Sequence, residues 1–180
     1  PEASEVLRDL PWHAGYDAPV PTEADADEIR MTAEHVAPGL RTAGVRLVGL
    51  RSRVIFEVEF NRLVEQYGSK GTVLSQATLE LAVRSLAPLS SGPISVLCDK
   101  HGGRNTYRQI LSDWFPEALV EVYREGREES LYRFGPRERR IEFCFRAKGE
   151  TCLPTALASM ASKYLRELSM RAMNAFWQAR

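Results

Sequence analysis

The chain has 180 residues and a mass of 20.3 kDa, the size of one ordinary domain or of one domain with a short appendage. With 44% hydrophobic and 27% charged residues it can bury a core and is not disordered throughout; no apolar run reaches the ~18 residues of a membrane span, and no basic-then-apolar leader opens it. The 24 basic and 24 acidic side chains cancel, which excludes a globally basic nucleic-acid binder. The balance is nevertheless uneven: residues 1–100 carry 10 Lys/Arg against 14 Asp/Glu, and residues 101–180 carry 14 against 10. Such a gradient is either surface variation or a basic working face in the second half. Three cysteines, Cys98, Cys144 and Cys152, have no metal-like spacing and suit a reduced, cytoplasmic setting. The first residue is Pro1, so the expectation is a chain cut from a longer coding sequence.

In chain order, residues 2–10 read as the tail of a helix stopped by Pro11, and residues 11–24 as a loop. Acidic residues crowd the first turn of a helix predicted from Asp25 to Thr42, where the macrodipole favours them; Pro38 is expected to kink or end it. Val45–Ile55 is a mixed run that can be buried on most of its length and reads as a strand. Glu57–Tyr67 is predicted as a helix with Phe60, Leu63 and Val64 inward, broken by Gly68–Gly71, and Thr72 is expected to cap the next helix, which Pro88 closes. Ile94–Cys98 is a short apolar strand running into Asp99-Lys100-His101-Gly102-Gly103-Arg104. Tyr107–Phe115 is a helix, and Leu119–Tyr123, Leu131–Phe134 and Ile141–Phe145 are strands of a meander. The last helix is predicted over Pro154–Gln178. At 100° per residue its inward face gathers Leu157, Met160, Ala161, Tyr164, Leu165, Leu168, Ala172 and Ala175, and its outer face Ser159, Lys163, Arg166 and Met170. The fold class expected is α/β, with residues 1–44 as a helical and loop segment and residues 45–180 as the main domain, which carries an Arg-rich hairpin insertion at about 117–147.

Chemistry-bearing residues concentrate where strands end. Asp99 follows the apolar strand, and Gly102-Gly103 lets backbone N–H groups approach a ligand; the plain alternative is a turn aspartate bonded to its own backbone. Glu150 follows a strand and a glycine and precedes a helix. Two carboxylates at neighbouring strand ends can share a hard divalent cation, Mg²⁺ or Mn²⁺, whereas a lone one is an ordinary helix-entry acid. His101 is a base, a phosphate contact, or an exposed loop histidine. Lys163 and Arg166 form a cationic stripe or a solvated surface. Trp12, Trp114 and Trp177 read as packing residues. No Walker A, GxSxG, HExxH or paired CxxC motif occurs.

Four blocks, in order, resemble type 2 ribonucleases H. Phe60-Asn61-Arg62-Leu63 through Leu74-Ser75-Gln76-Ala77-Thr78-Leu79-Glu80-Leu81-Ala82 resembles the family's helical "N…QAT…AM" stretch, ISVLCD its "vLVDG" strand, and Lys148-Gly149-Glu150 its "KGD". PTALASMASKYLRELSM resembles "PAISAASILAKVTRDREM", matching at Pro154, Ala158, Ser159, Lys163, Arg166 and Met170. The resemblance covers about residues 54–104 and 146–172. It implies a ribonuclease H-like fold, a mixed five-stranded sheet flanked by helices. It also implies a metal-dependent endonuclease, a hydrolase that cuts the RNA strand of RNA–DNA hybrids or ribonucleotide-containing duplexes with four carboxylates and Mg²⁺ or Mn²⁺. Carried over, Asp99 and Glu150 are metal ligands and catalytic residues. Lys148, Ser159 and Lys163 lie near the nucleic-acid backbone, with His101, Gly102, Gly103, Arg104 and Arg166 as further substrate contacts.

Three departures accompany it. The opening strand with an adjacent Asp-Glu pair and glycines is absent, Asp27-Glu28 sits in a helical context, and no "DSKKL" segment follows. The expectation is a divergent, N-terminally truncated monomer lacking the first strands and inactive alone. The last acid is Glu instead of Asp. The Arg-rich hairpin between the two acids is longer than usual. Two other functions stand beside this one: a non-catalytic nucleic-acid-binding domain of the same fold, and a phosphotransferase with Asp99 as nucleophile, whose usual second Asp two residues on is missing from DKHGG.

Overall fold

The computed structural model describes residues 10–89 and 91–180; the helix expected at 2–10 lies almost wholly outside them. The chain divides into two compact units: residues 1–50 with 164–180, and residues 51–163.

In the first unit, helix α1 (Ala26–Thr42) begins with a capping box: the Asp25 carboxylate accepts from the Glu28 N–H and the Glu28 carboxylate accepts from the Asp25 N–H. Pro38 lies inside α1 and does not end it. No residue of α1 is buried. Trp12 packs edge-on against Phe176, and Arg171 pairs with Glu23.

The second unit is α/β. Its elements are α2 (Glu57–Tyr67), α3 (Lys70–Leu86), β1 (Ile94–Asp99), α4 (Arg108–Trp114), β2 (Glu121–Glu125), β3 (Glu129–Phe134), β4 (Ile141–Arg146) and the start of α5 (Leu153–Gln178). A four-stranded mixed sheet runs β1-β4-β3-β2. β2, β3 and β4 form the expected antiparallel meander, and β1 pairs parallel to β4, with Asp99 opposite Arg146. Ile141–Arg146 is therefore integral to the sheet, and the hairpin proper is β2–β3. Four strands are present among the described residues, one fewer than the resemblance implies.

Glycine and serine explain the break between α2 and α3. Gly68 ends α2 at φ +75°, a left-handed position. Ser69, one turn before the Thr72 expected from sequence, caps α3 by accepting from the Thr72 N–H at 3.1 Å. The Arg53 guanidinium then ties the two helices by pairing with Glu59 of α2 and Glu80 of α3.

The core is aromatic. Tyr107 stacks on Phe145 with centroids 3.7 Å apart and planes 4° from parallel, and Phe143, Phe134 and Phe115 continue the pile. Leu79, Ile110 and Leu111 close it from the helical side. Alternation along β3 buries Ser130, Tyr132 and Phe134 and turns their neighbours outward.

Two further expectations fail. Val45–Ile55 forms no strand; its β-branched residues have no partner strand here, and Leu47 and Val48 are 61% and 66% exposed. On α5 the helical angle places Met160 and Tyr164 inward, yet both are exposed, while Thr155, Ala156 and Leu157 in its first turns are half-buried. No helix among the described residues is long and apolar enough to cross a membrane.

Phe145 is fully buried between Tyr107, His101 and Phe143. Phe145→Ala should lower unfolding free energy by about 3–5 kcal/mol, measured by urea titration. A loss below about 1 kcal/mol would show that this stack is not the core's centre.

Candidate active site at the ends of two parallel strands

Parallel pairing brings the carboxyl ends of β1 and β4 to one edge of the unit, where sites form in open α/β sheets. Asp99 is the last residue of β1 and is exposed. After β4 the chain turns through Lys148, at φ +59°, into a short 3₁₀ turn, Gly149–Thr151. Gly149 is buried there. A Cβ on it would stand 3.2 Å from the Thr155 methyl and 3.9 Å from both the Asp99 Cα and the Cys98 carbonyl. The absence of a side chain thus lets the Glu150 turn close on the end of β1.

Asp99 and Glu150 both line a groove of about 720 Å³ running along β1 between α3 and the first turns of α5. Its walls are largely aliphatic, with Leu74, Leu81 and Leu86 on one side and Pro154 and Ala158 on the other. Ser159 also lines it and donates to the Glu150 carboxylate at 3.1 Å. The Thr155 hydroxyl, another lining group, is buried with no hydrogen-bond partner.

The loop that follows Asp99 is held from within. Lys100 turns inward, and its ammonium donates to the Gly126 carbonyl at 2.5 Å, Asn105 Oδ1 at 3.0 Å and Ser130 Oγ at 3.1 Å. Desolvation lowers its pKa. Ser130 Oγ donates to the Asn105 carbonyl. The Tyr132 hydroxyl accepts from the Tyr107 N–H at 2.7 Å and donates to Glu125 at 2.6 Å, while the Tyr107 hydroxyl accepts from the His101 N–H. One lysine and two tyrosines thus fasten residues 100–107 to the hairpin.

His101 is not the exposed loop residue it resembles in sequence. It is 8% exposed, edge-on to Tyr107 and Phe145, and its Nδ1 lies 2.9 Å from the Ser75 hydroxyl. The Ser75 hydroxyl donates to the Gly71 carbonyl, which assigns the Nδ1 proton to the His101–Ser75 bond. Burial, reinforced by Arg104 and opposed by Asp99, pushes the His101 pKa from 6.5 down to about 4. The imidazole is neutral near pH 7 and fixes the loop to α3.

Of the residues expected from sequence, the groove gathers Asp99, His101, Glu150 and Ser159. Gly102 and Gly103 form the exposed outer part of the loop, where Gly102 takes φ +58°, and half-buried Arg104 sets its guanidinium 5.9 Å from the Tyr107 ring centre. Lys148 and Lys163 are exposed and do not line the groove, and Arg166 belongs to the other compact unit. Ser75, Lys100, Tyr107, Ser130 and Tyr132 were invisible as site residues, although QAT-flanking Ser75 sits inside a block singled out by resemblance.

The donor set suits a hard cation. Asp99 and Glu150 offer only oxygen, and Mg²⁺ commonly binds through one or two carboxylates plus waters and phosphate oxygens. Among the described residues no group of three or more His, Cys, Asp or Glu gathers around a common point. Cys98 and Cys144 are thiols whose pKa values burial raises to about 12 and 11, so neither is a thiolate ligand near neutral pH. Comparison with family models, with curated proteins and with solved structures returned no match.

The folded His101 pKa lies below its unfolded value, so the unfolded chain binds more protons between pH 6.5 and 4. Stability is therefore full above pH 6.5 and falls through that window, by up to about 3 kcal/mol at its lower end. His101→Gln should flatten that part of the pH–stability curve in urea titrations. An unchanged slope would assign the acid sensitivity to other groups.

Proposed function

We propose that this chain carries part of the active site of a metal-dependent endonuclease of the ribonuclease H type, acting on the RNA strand of RNA–DNA hybrids. The observation that carries the reading is the convergence of Asp99 and Glu150 on one groove from the carboxyl ends of adjacent parallel strands. The reading is supported by residues of all four resembling blocks that line the groove: Leu74 and Thr78 of α3, Asp99 of β1, Glu150 of KGE, and Ser159 of α5. The fold is a ribonuclease H-like arrangement in this reading, and the activity belongs to a protein that contributes further carboxylates.

Asp99 and Glu150 would hold the cation, Mg²⁺ or Mn²⁺. When bound, the metal supplies Lewis acidity towards a phosphate oxygen and an activated water for hydrolysis. The chain's own residues prepare the place. Ser159 holds one Glu150 oxygen and leaves the other for the metal. Gly149 permits the close approach to Asp99. Lys100 and His101, turned inward, keep the loop rigid while Asp99 points outward. Lys148, Lys163 and Arg104 offer cationic surface to a nucleic-acid backbone, with Gly102 and Gly103 leaving backbone N–H groups accessible.

A second reading is favoured by the small donor set: a non-catalytic nucleic-acid-binding domain of the same fold, which would bind a hybrid with strong salt dependence and no metal requirement.

Mn²⁺ should bind the chain and be displaced by Mg²⁺, as read from water-proton relaxation. Asp99→Asn and Glu150→Gln should each abolish binding, and Ser159→Ala should weaken it roughly 10–100-fold. Retention of full Mn²⁺ affinity in both carboxamide variants would overturn the nuclease reading, and salt-dependent hybrid binding without Mn²⁺ binding would establish the second.

A further inference from the structure

Away from the groove, helix α1 carries an apolar seam that is left open. At 100° per residue Ile29, Ala33, Val36 and Leu40 fall within an arc of about 60°. Their spacing alternates between four and three residues, as along the seam of a helix pair. Ile29 and Val36 are 46% and 51% exposed, Ala33 is exposed and Leu40 is half-buried. No residue of α1 is buried, although Pro38 and Gly39 lie within it, both outside the seam. Each weakens a helix interior, and the capping box at Asp25 secures only the first turn. A helix of 17 residues draws most of its stability from packing an apolar face, so this seam calls for a partner.

Charge along the helix selects that partner. Residues 25–34 hold four acids, Asp25, Asp27, Glu28 and Glu34, and one base, Arg30; residues 35–46 hold two bases, Arg41 and Arg46, and no acid. The matching seam is basic beside the first half and acidic beside the second. The same helix, reversed, meets that description, whereas a parallel copy would set acid against acid. Reversal also opposes the two macrodipoles and sets the small Ala33 against the larger Val36. Helices that lie on anionic lipid are rich in Lys and Arg on their polar face. Here acids outnumber bases, which turns away both such a surface and a nucleic-acid backbone.

We propose that α1 pairs with α1 of a second copy of this chain, antiparallel across a two-fold axis, making a dimer in place of the monomer expected from sequence. Ile29 packs against Leu40 of the other copy and Ala33 against its Val36, and each contact is made twice, as an isologous interface requires. Asp27 lies level with Arg41 of the other copy at both ends. Near the axis Glu34 faces its own copy, with Arg30 one turn away on each helix. Four layers along ~25 Å of helix make a small interface, of the size that transient dimers use. The groove and its carboxylates take no part, so this inference does not depend on the nuclease reading.

Sedimentation equilibrium of the chain from low to high micromolar concentration should show a monomer–dimer equilibrium, and amide hydrogen exchange across residues 29–40 should slow as concentration rises. The double variant Ile29→Lys, Val36→Lys, which brings in good helix formers, should raise the dimer dissociation constant at least about tenfold. Asp27→Lys and Arg41→Glu should each weaken the dimer. An equimolar mixture of those two variants should restore it, because both ends of the mixed pair then join opposite charges. Chains carrying Ile29→Cys, mixed with chains carrying Leu40→Cys, should form a 29–40 disulfide on mild oxidation, mapped by peptide mass. Ile29→Cys alone should not link to itself, since its copy lies ~16 Å away along the axis. A monomer at every concentration, a dimer indifferent to the lysine pair, or a 29–29 disulfide would each overturn the proposal. So would a seam equally protected at every concentration, whose cover would then be another part of the same chain.

Discussion

Everything in the sheet-bearing unit hangs on the parallel contact between β1 and β4. Six consecutive residue pairs align from Ile94 with Ile141 to Asp99 with Arg146. Antiparallel pairing would send the two carboxyl ends to opposite edges of the sheet. Parallel pairing sends both to one edge, so Asp99 and the Glu150 turn meet without any special loop. The same pairing lays Val96 and Cys98 on the aromatic core beside Phe143 and Phe145. The meander between the strands supplies the long crossover that parallel strands require.

Site and scaffold are divided residue by residue along Asp99-Lys100-His101. Asp99 faces solvent, Lys100 enters the hairpin network, and His101 enters the core. Burying an ammonium is costly unless its protons are taken, and three near acceptors take them here. The buried imidazole stays neutral and spends its Nδ1 on Ser75. A charged, well-hydrated carboxylate therefore stands on a loop whose other polar groups have partners.

Much of this was legible from sequence, for identifiable reasons. The meander was visible because β3 and β4 alternate or run apolar over six residues and are bounded by turn residues. The helices α1, α2 and α3 were visible through the acidic first turn of α1 and the break at Gly68–Gly71, although Ser69 caps α3 where Thr72 was expected. Asp99 and Glu150 stand out in the sequence because each follows a strand with glycine close by, and the structure sets both on one groove. Val45–Ile55 misled because β-propensity describes fitness for a pleated surface and says nothing of whether a partner strand is at hand. His101 misled because a lone histidine in a polar, Gly-rich loop looks exposed, while its burial depends on Tyr107 and Ser75, 6 and 26 positions away. Met160 misled because a helix can be sided differently along its length, and α5 spans two compact units.

The Lys100 ammonium joins segments that sequence keeps apart: the loop it sits on, the turn at Gly126 and the strand residue Ser130. These bonds span 26 and 30 residues, and loops of that length close only at an entropic cost repaid when their contacts form together. The shape of the loop is therefore borrowed from the hairpin. A change at the Gly126 turn or at Ser130 reaches the backbone beside Asp99 across 26 or 30 positions of sequence, with no contact to Asp99 itself.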